Sequence, residues 1–198
     1  MKTFLSLPAL MTLVMVMTGT APTETMAKSV SDTVIAITPG NPSGFSKKQT
    51  IILTAAHQIA QNDGHPNPKL LQGIALKESK AGDFLLSAKQ QMYAPQYGVM
   101  QIKTVAAREV LDAENLWSAF GFRTRSNDEL KIRLINDDKF NMTMASKYLK
   151  YLRERYNLKS ETSLLCAYNQ GPSGAKSRAG KANSYASSVI RLASMVKI

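Results

Sequence analysis

Leu70-Leu71-Gln72-Gly73-Ile74-Ala75-Leu76-Lys77-Glu78-Ser79 is the stretch from which the rest of this chain can be read. Leu71, Ile74 and Ala75 stand seven, four and three positions ahead of Glu78, the spacing of one helix face. That spacing puts a carboxylate on an apolar face, where a charge is costly unless something uses it. A carboxylic acid in a poorly hydrated place has a raised pKa and can donate a proton near neutral pH. The plainer reading is an exposed carboxylate at a helix end, as most glutamates are.

Working outward, Asn67-Pro68 starts this helix with Pro68 at the first helical position, and Ala81-Gly82 ends it. Upstream, Ser46 and Gln49 are spaced as a capping box for a helix to about residue 61, with Ile51, Ile52, Ala55 and Ile59 as its apolar stripe. Downstream, residues 83–99 lack a period, and Pro95 and Gly98 argue against a continuous helix. A small irregular or β-hairpin element is expected between Phe84 and Val99. Further helices are expected over about 104–111, over 130–135 behind a second capping pair (Ser126 and Glu129), and over 139–156. Met142, Ala145, Tyr148, Leu149, Leu152 and Tyr156 form the stripe of the longest one. The next opens at Ser160 or Glu161 and closes before Gly171-Pro172. The last follows Ala182, with Tyr185, Val189, Leu192 and Val196 on one side. With no long alternating run and no repeat, the expected fold is a mainly α single domain over residues 46–198.

Two segments precede it. Lys2 and the mostly apolar run Phe4 to Met17, followed by small residues, read as a secretory signal over residues 1–27, with cleavage expected after Ala21 or Ala27. Residues 28–45, with Pro39-Gly40-Asn41-Pro42, read as a leader or linker. The expectation is an exported protein of the periplasm or cell envelope. The single cysteine, Cys166, excludes an internal disulfide, and with only His57 and His65 beside it a structural metal site is not expected. A net charge of +11 favours an acidic partner, whether nucleic acid, membrane or wall polymer. Without an arginine stripe interleaved with aromatics, nucleic acid is not expected.

Three short blocks recur in a fixed order: Ala75-Leu76-Lys77-Glu78-Ser79, Gly98-Val99-Met100-Gln101-Ile102 and Ala167-Tyr168-Asn169-Gln170-Gly171-Pro172. Together, with twenty positions between Glu78 and Gly98, they resemble the soluble lytic transglycosylase (SLT) domain, a lysozyme-like fold of the goose type. Phe140-Asn141 and the later Tyr148-Leu149 add to the likeness, which spans about residues 48–195. Val99 stands where the family usually has Leu, and Gln170 where it usually has Ala. Met92-Tyr93-Ala94-Pro95-Gln96-Tyr97 replaces a turn of small residues.

The resemblance implies cleavage of the β-1,4 bond between N-acetylmuramic acid and N-acetylglucosamine in peptidoglycan, leaving a 1,6-anhydro sugar, without a cofactor. It implies that Glu78 is the one catalytic acid and then base. Met100 and Gln101 would line the glycan groove, Tyr168 would position the acid, and Asn169 would support substrate or backbone. Ser79 would hydrogen-bond near the reacting sugar, and Tyr185 matches a late aromatic of the family. Peptidoglycan strands are the expected partner of a monomer, with a secretion, pilus or conjugation machine as a candidate second partner.

Plainer readings stand beside these. Met100 would fill a core gap, and Tyr168 would be a buried tyrosine with one partner. Lys77 and Lys80 flank Glu78 and are expected in solvent. Asp83 is the carboxylate nearest in sequence; it would permit hydrolysis, or simply cap the helix end. Cys166 with either histidine could make a cysteine peptidase, but Leu164, Leu165 and Ala167 around it favour an inert buried thiol. A muramidase and a non-catalytic glycan-binding module are the alternatives to the transglycosylase.

Overall fold

Ser46 opens the first helix with a closed capping box: its Oγ accepts from the Gln49 amide at 3.2 Å, and Gln49 Oε1 accepts from the Ser46 amide at 2.9 Å. The computed structural model describes residues 44–177 and 184–197, all within one compact unit that begins at Gly40. The signal, nearly all of the leader, and Ala182 lie outside the described residues.

Eight helices are described: α1 Lys47–Asn62, α2 Lys69–Ser79, α3 Ala88–Gln91, α4 Thr104–Ala113, α5 Asn127–Asn136, α6 Asp138–Tyr156, α7 Glu161–Ser177 and α8 Ser184–Met195. The mainly α expectation holds, and most boundaries fall within a residue or two of it. Pro68 caps α2 instead of sitting inside it. Ser126 caps α5 by accepting from the Asp128 amide, while Glu129 turns back to accept from Thr124 Oγ1, so the second capping box does not close.

The helix carrying Glu78 is central. Leu70, Leu71, Gln72, Gly73, Ile74, Ala75, Leu76 and Ser79 are all buried, so α2 is covered on most of its surface and not only along one stripe. It packs against α8, α1 and α6. At Gly73 a Cβ would lie 2.5 Å from the Val189 carbonyl, so a bare backbone sets how closely α2 and α8 approach. The α1 stripe is rotated from the expected one: Ile52, Leu53, Ala56 and Ala60 are buried, and Ile51 faces solvent. The second scaffold helix, α6, buries Phe140, Met142, Met144, Ala145, Leu149 and Leu152 against α1, α4, α5 and α7. Each of the larger side chains among these contributes roughly 1.5–3 kcal/mol on leaving water.

Between α2 and α4 the irregular alternative holds and the hairpin does not. The segment contains the single-turn α3 and one isolated antiparallel bridge, Tyr97 to Ile102; no strand is seen among the described residues. The reason lies in the Gly98–Gln101 turn. Its backbone groups pair with the side chains of Gln91 and Asn141 and not with a neighbouring strand. Gly98 stands at φ 66°, and a Cβ there would lie 2.3 Å from Asn141 Nδ2.

Candidate active site

A groove of about 480 Å³ runs along the C-terminal end of α2, the start of α4, and the break in α7. Among its lining residues are Lys77, Glu78, Gln101, Tyr168, Asn169 and Tyr185. This size suits a ligand cleft. The break has a local cause. Gly171 adopts φ 79° and ψ 166°, a region open in practice only to glycine, and Pro172 then starts the second half of α7. The expected closure before Gly171-Pro172 is therefore seen; the restart beyond it was not anticipated. The break turns Asn169, Gln170, Gly171 and Pro172 into the groove wall.

Glu78 sits half-buried in the groove, and its carboxyl pKa is raised. Burial, which disfavours the charged form, is the main cause. Two effects oppose it: a hydrogen bond donated by Tyr185 Oη to Glu78 Oε1 at 2.6 Å, and the Lys77 ammonium. Lys77 is exposed as expected, yet it also lines the groove. Lys80 points away and rests over the Phe84 ring at 3.8 Å.

The tyrosine that touches the acid is thus Tyr185, expected from the resemblance only as a late aromatic on the substrate side. Tyr168, assigned to position the acid, donates instead to the Met100 carbonyl at 2.9 Å. Burial and the nearby Glu78 raise the pKa of both hydroxyls, so both stay protonated and act as donors. Two other assignments need correction. Ser79 is 1% exposed, and its hydroxyl is spent internally: it donates to the Val99 carbonyl at 2.8 Å and accepts from the Gly82 amide at 2.9 Å. It ties the left-handed turn Lys80-Ala81-Gly82 to the Gly98–Ile102 block and does not face the groove. Met100 is fully buried; its side chain belongs to the core, and its contribution to the groove is the carbonyl that holds Tyr168.

Gln101 and Asn169 do line the groove. Gln101 is held at φ 45°, with its Nε2 donating to the Gly98 carbonyl at 2.8 Å, which leaves its Oε1 to a ligand. Asp83 is exposed and does not line the groove. The second carboxylate there is Glu109, from α4, which the sequence reading passed over; Tyr148, from α6, was read only as core. Glu109 lies seven positions beyond Ile102 on a helix whose apolar period shows nothing unusual, so only the groove marks it.

Cys166 is buried in α7, outside the groove, and no hydrogen bond joins it to His57 or His65 among the described residues. His65 instead pairs with Ser146, whose hydroxyl reaches Asp63 at 2.5 Å, fixing the end of α1 to α6. Cys166→Ser is accordingly expected to leave activity on glycan strands largely intact; a folded but inactive variant would contradict this.

The order and spacing of these groups match a known family. The model of the transglycosylase SLT domain matches residues 55–190, and the chain belongs to that family. The mainly helical domain is its lysozyme-like fold. Among curated proteins and solved structures, none gives a significant match.

Proposed function

We propose that this protein is a peptidoglycan lytic transglycosylase that cuts the MurNAc–GlcNAc β-1,4 bond and leaves a 1,6-anhydromuramic end. The observation that carries the reading is Glu78: a carboxyl whose pKa burial raises, held by Tyr185 at 2.6 Å, in an open groove lined by amides and tyrosines. A glycosidic oxygen leaves poorly until protonated, and one positioned acid can supply that proton as positive charge grows on the sugar. The muramic N-acetyl oxygen then attacks the anomeric carbon. Ionised Glu78 takes the proton of the C6 hydroxyl, whose oxygen displaces the N-acetyl oxygen and closes the anhydro ring. No water enters, so no second catalytic carboxylate is required.

Glu109 is the observation that favours the runner-up, a hydrolase of the same bond, because water-using glycosidases work with two carboxylates. The products decide between them. Peptidoglycan digested by the purified protein should yield anhydro-ended muropeptides by mass spectrometry; reducing ends would support the hydrolase, and binding without products a glycan-binding module. Export to the periplasm or envelope fits this substrate, as does the charge of +11, which speeds approach to an acidic polymer. Opening the wall for a secretion, pilus or conjugation machine is one setting for such activity.

The pH profile tests the acid separately. The working form of Glu78 is protonated, so the rate should fall as pH rises through its raised pKa. The Tyr185 hydrogen bond favours the ionised form. Tyr185→Phe should therefore raise that pKa further and move the alkaline limb of kcat/KM to higher pH. An unmoved or lowered limb would show that Tyr185 does not tune the acid.

A further inference from the structure

One wall of the groove is left unused by this chemistry. It is formed by α4, where Lys103 caps the helix and Val105, Ala106 and Glu109 follow along the lining. Lys103 and Glu109 are six residues apart, about 9 Å along the axis at 1.5 Å per residue, too far to neutralise each other. Neither has an ion-pair or hydrogen-bond partner among the described residues. Between them Ala106 presents only a methyl group.

Glu109 also has a particular neighbourhood. Its charge acts on Tyr148 and Tyr151, which lie on α6 with their rings stacked 6.3 Å apart, and Tyr148 itself lines the groove. An unpaired carboxylate in a groove, with a tyrosine beside it, is a group that holds an ammonium by a charge-assisted hydrogen bond. At the other end, a free ammonium on Lys103 suits a carboxylate. The wall therefore offers a cation and an anion at fixed separation, the complement of a zwitterion.

We propose that Lys103, Ala106 and Glu109 form a peptide-stem subsite, in which Glu109 receives the free ammonium of a diamino-acid residue and Lys103 a stem carboxylate. The enzyme would then select strands that still carry their peptides over stripped ones. This rests on the peptidoglycan reading above and adds the specificity of the groove.

The test compares three substrates with the full-length mature protein: peptidoglycan with free stem amines, the same material with those amines acetylated, and glycan strands stripped of peptides by an amidase. Acetylation should lower wild-type kcat/KM about tenfold, the effect of losing one charge-assisted contact. Glu109→Gln should bring the ratio of free-amine to acetylated rates close to one, and Lys103→Gln should narrow the preference over stripped strands. Equal wild-type rates on free and acetylated stems overturn the subsite, and that arm needs no variant to fold. A Glu109→Gln loss by one common factor on all three substrates also overturns it, since Glu109 would then serve the glycan. So does slower cleavage of the stripped strands after they too are acetylated as a control, which would assign the ammonium to a de-N-acetylated sugar. A wild-type protein that cuts none of the three removes the peptidoglycan reading itself, a distinct failure.

Discussion

Glu78→Gln is expected to lower turnover of peptidoglycan by at least about 10³-fold, near the upper part of what a positioned proton donor supplies. The amide is nearly isosteric with the acid and can still accept from the Tyr185 hydroxyl that now sits 2.6 Å away, so the groove keeps its shape and glycan binding should persist. What it cannot do is release a proton to the glycosidic oxygen or take one from the C6 hydroxyl. The variant should also be at least as stable as the parent at neutral pH. Burial raises the Glu78 pKa in the fold, so above the unfolded-state carboxyl pKa ionisation favours the unfolded chain, at a cost to native stability. The neutral amide removes that cost. The advantage should shrink as pH falls below the unfolded-state value, where both side chains are uncharged. Single-turnover assays on purified strands, with thermal melts across pH, measure both halves. Normal turnover by Glu78→Gln would mean that another group is the acid.

Asn141→Ala should have the largest effect on stability, a loss on the order of 3–5 kcal/mol. Asn141 is fully buried in α6, and all its polar atoms are committed: Oδ1 accepts from the Met100 amide at 2.8 Å, and Nδ2 donates to the Tyr97 carbonyl at 2.8 Å and the Leu134 carbonyl at 3.0 Å. Truncation leaves the Met100 amide and the Leu134 carbonyl to find other partners, at about 1–3 kcal/mol for each that stays unpaired, while the Tyr97 carbonyl keeps the Ile102 amide at 3.1 Å. Against a typical total of about 5–15 kcal/mol this is a large fraction. Activity should fall as well, because the turn that loses its anchor carries Gln101 and the carbonyl that holds Tyr168. Urea unfolding followed by circular dichroism gives the stability. A loss below about 1 kcal/mol would show that the turn is held by something other than this side chain.

Glu78 was legible because its evidence is local: a carboxylate at helical spacing from Leu71, Ile74 and Ala75, in a block followed at fixed distance by Gly98–Ile102. Gln101 and Asn169 were legible for a similar reason, as polar residues inside short motifs. Ser79 and Met100 sit in those same motifs and were misplaced, because membership in a block does not say which way a side chain points. Burial does: the turn after α2 turns Ser79 Oγ toward Val99, and the Gly98–Gln101 turn sends Met100 into the core. Glu109 was missed because an acidic residue on a short amphipathic helix is ordinary until another helix is seen beside it.

By itself the sequence determined which stretches are helical, where most of them start and stop, and which carboxylate lies on an apolar face. These follow from interactions within a few residues along the chain. The tertiary structure alone decided that Tyr185, 107 residues from Glu78, and not Tyr168 reaches the acid, and that Glu109 shares its groove. Such pairings depend on how α2, α4, α7 and α8 pack, and packing is set by the whole core at once, so no local rule contains it.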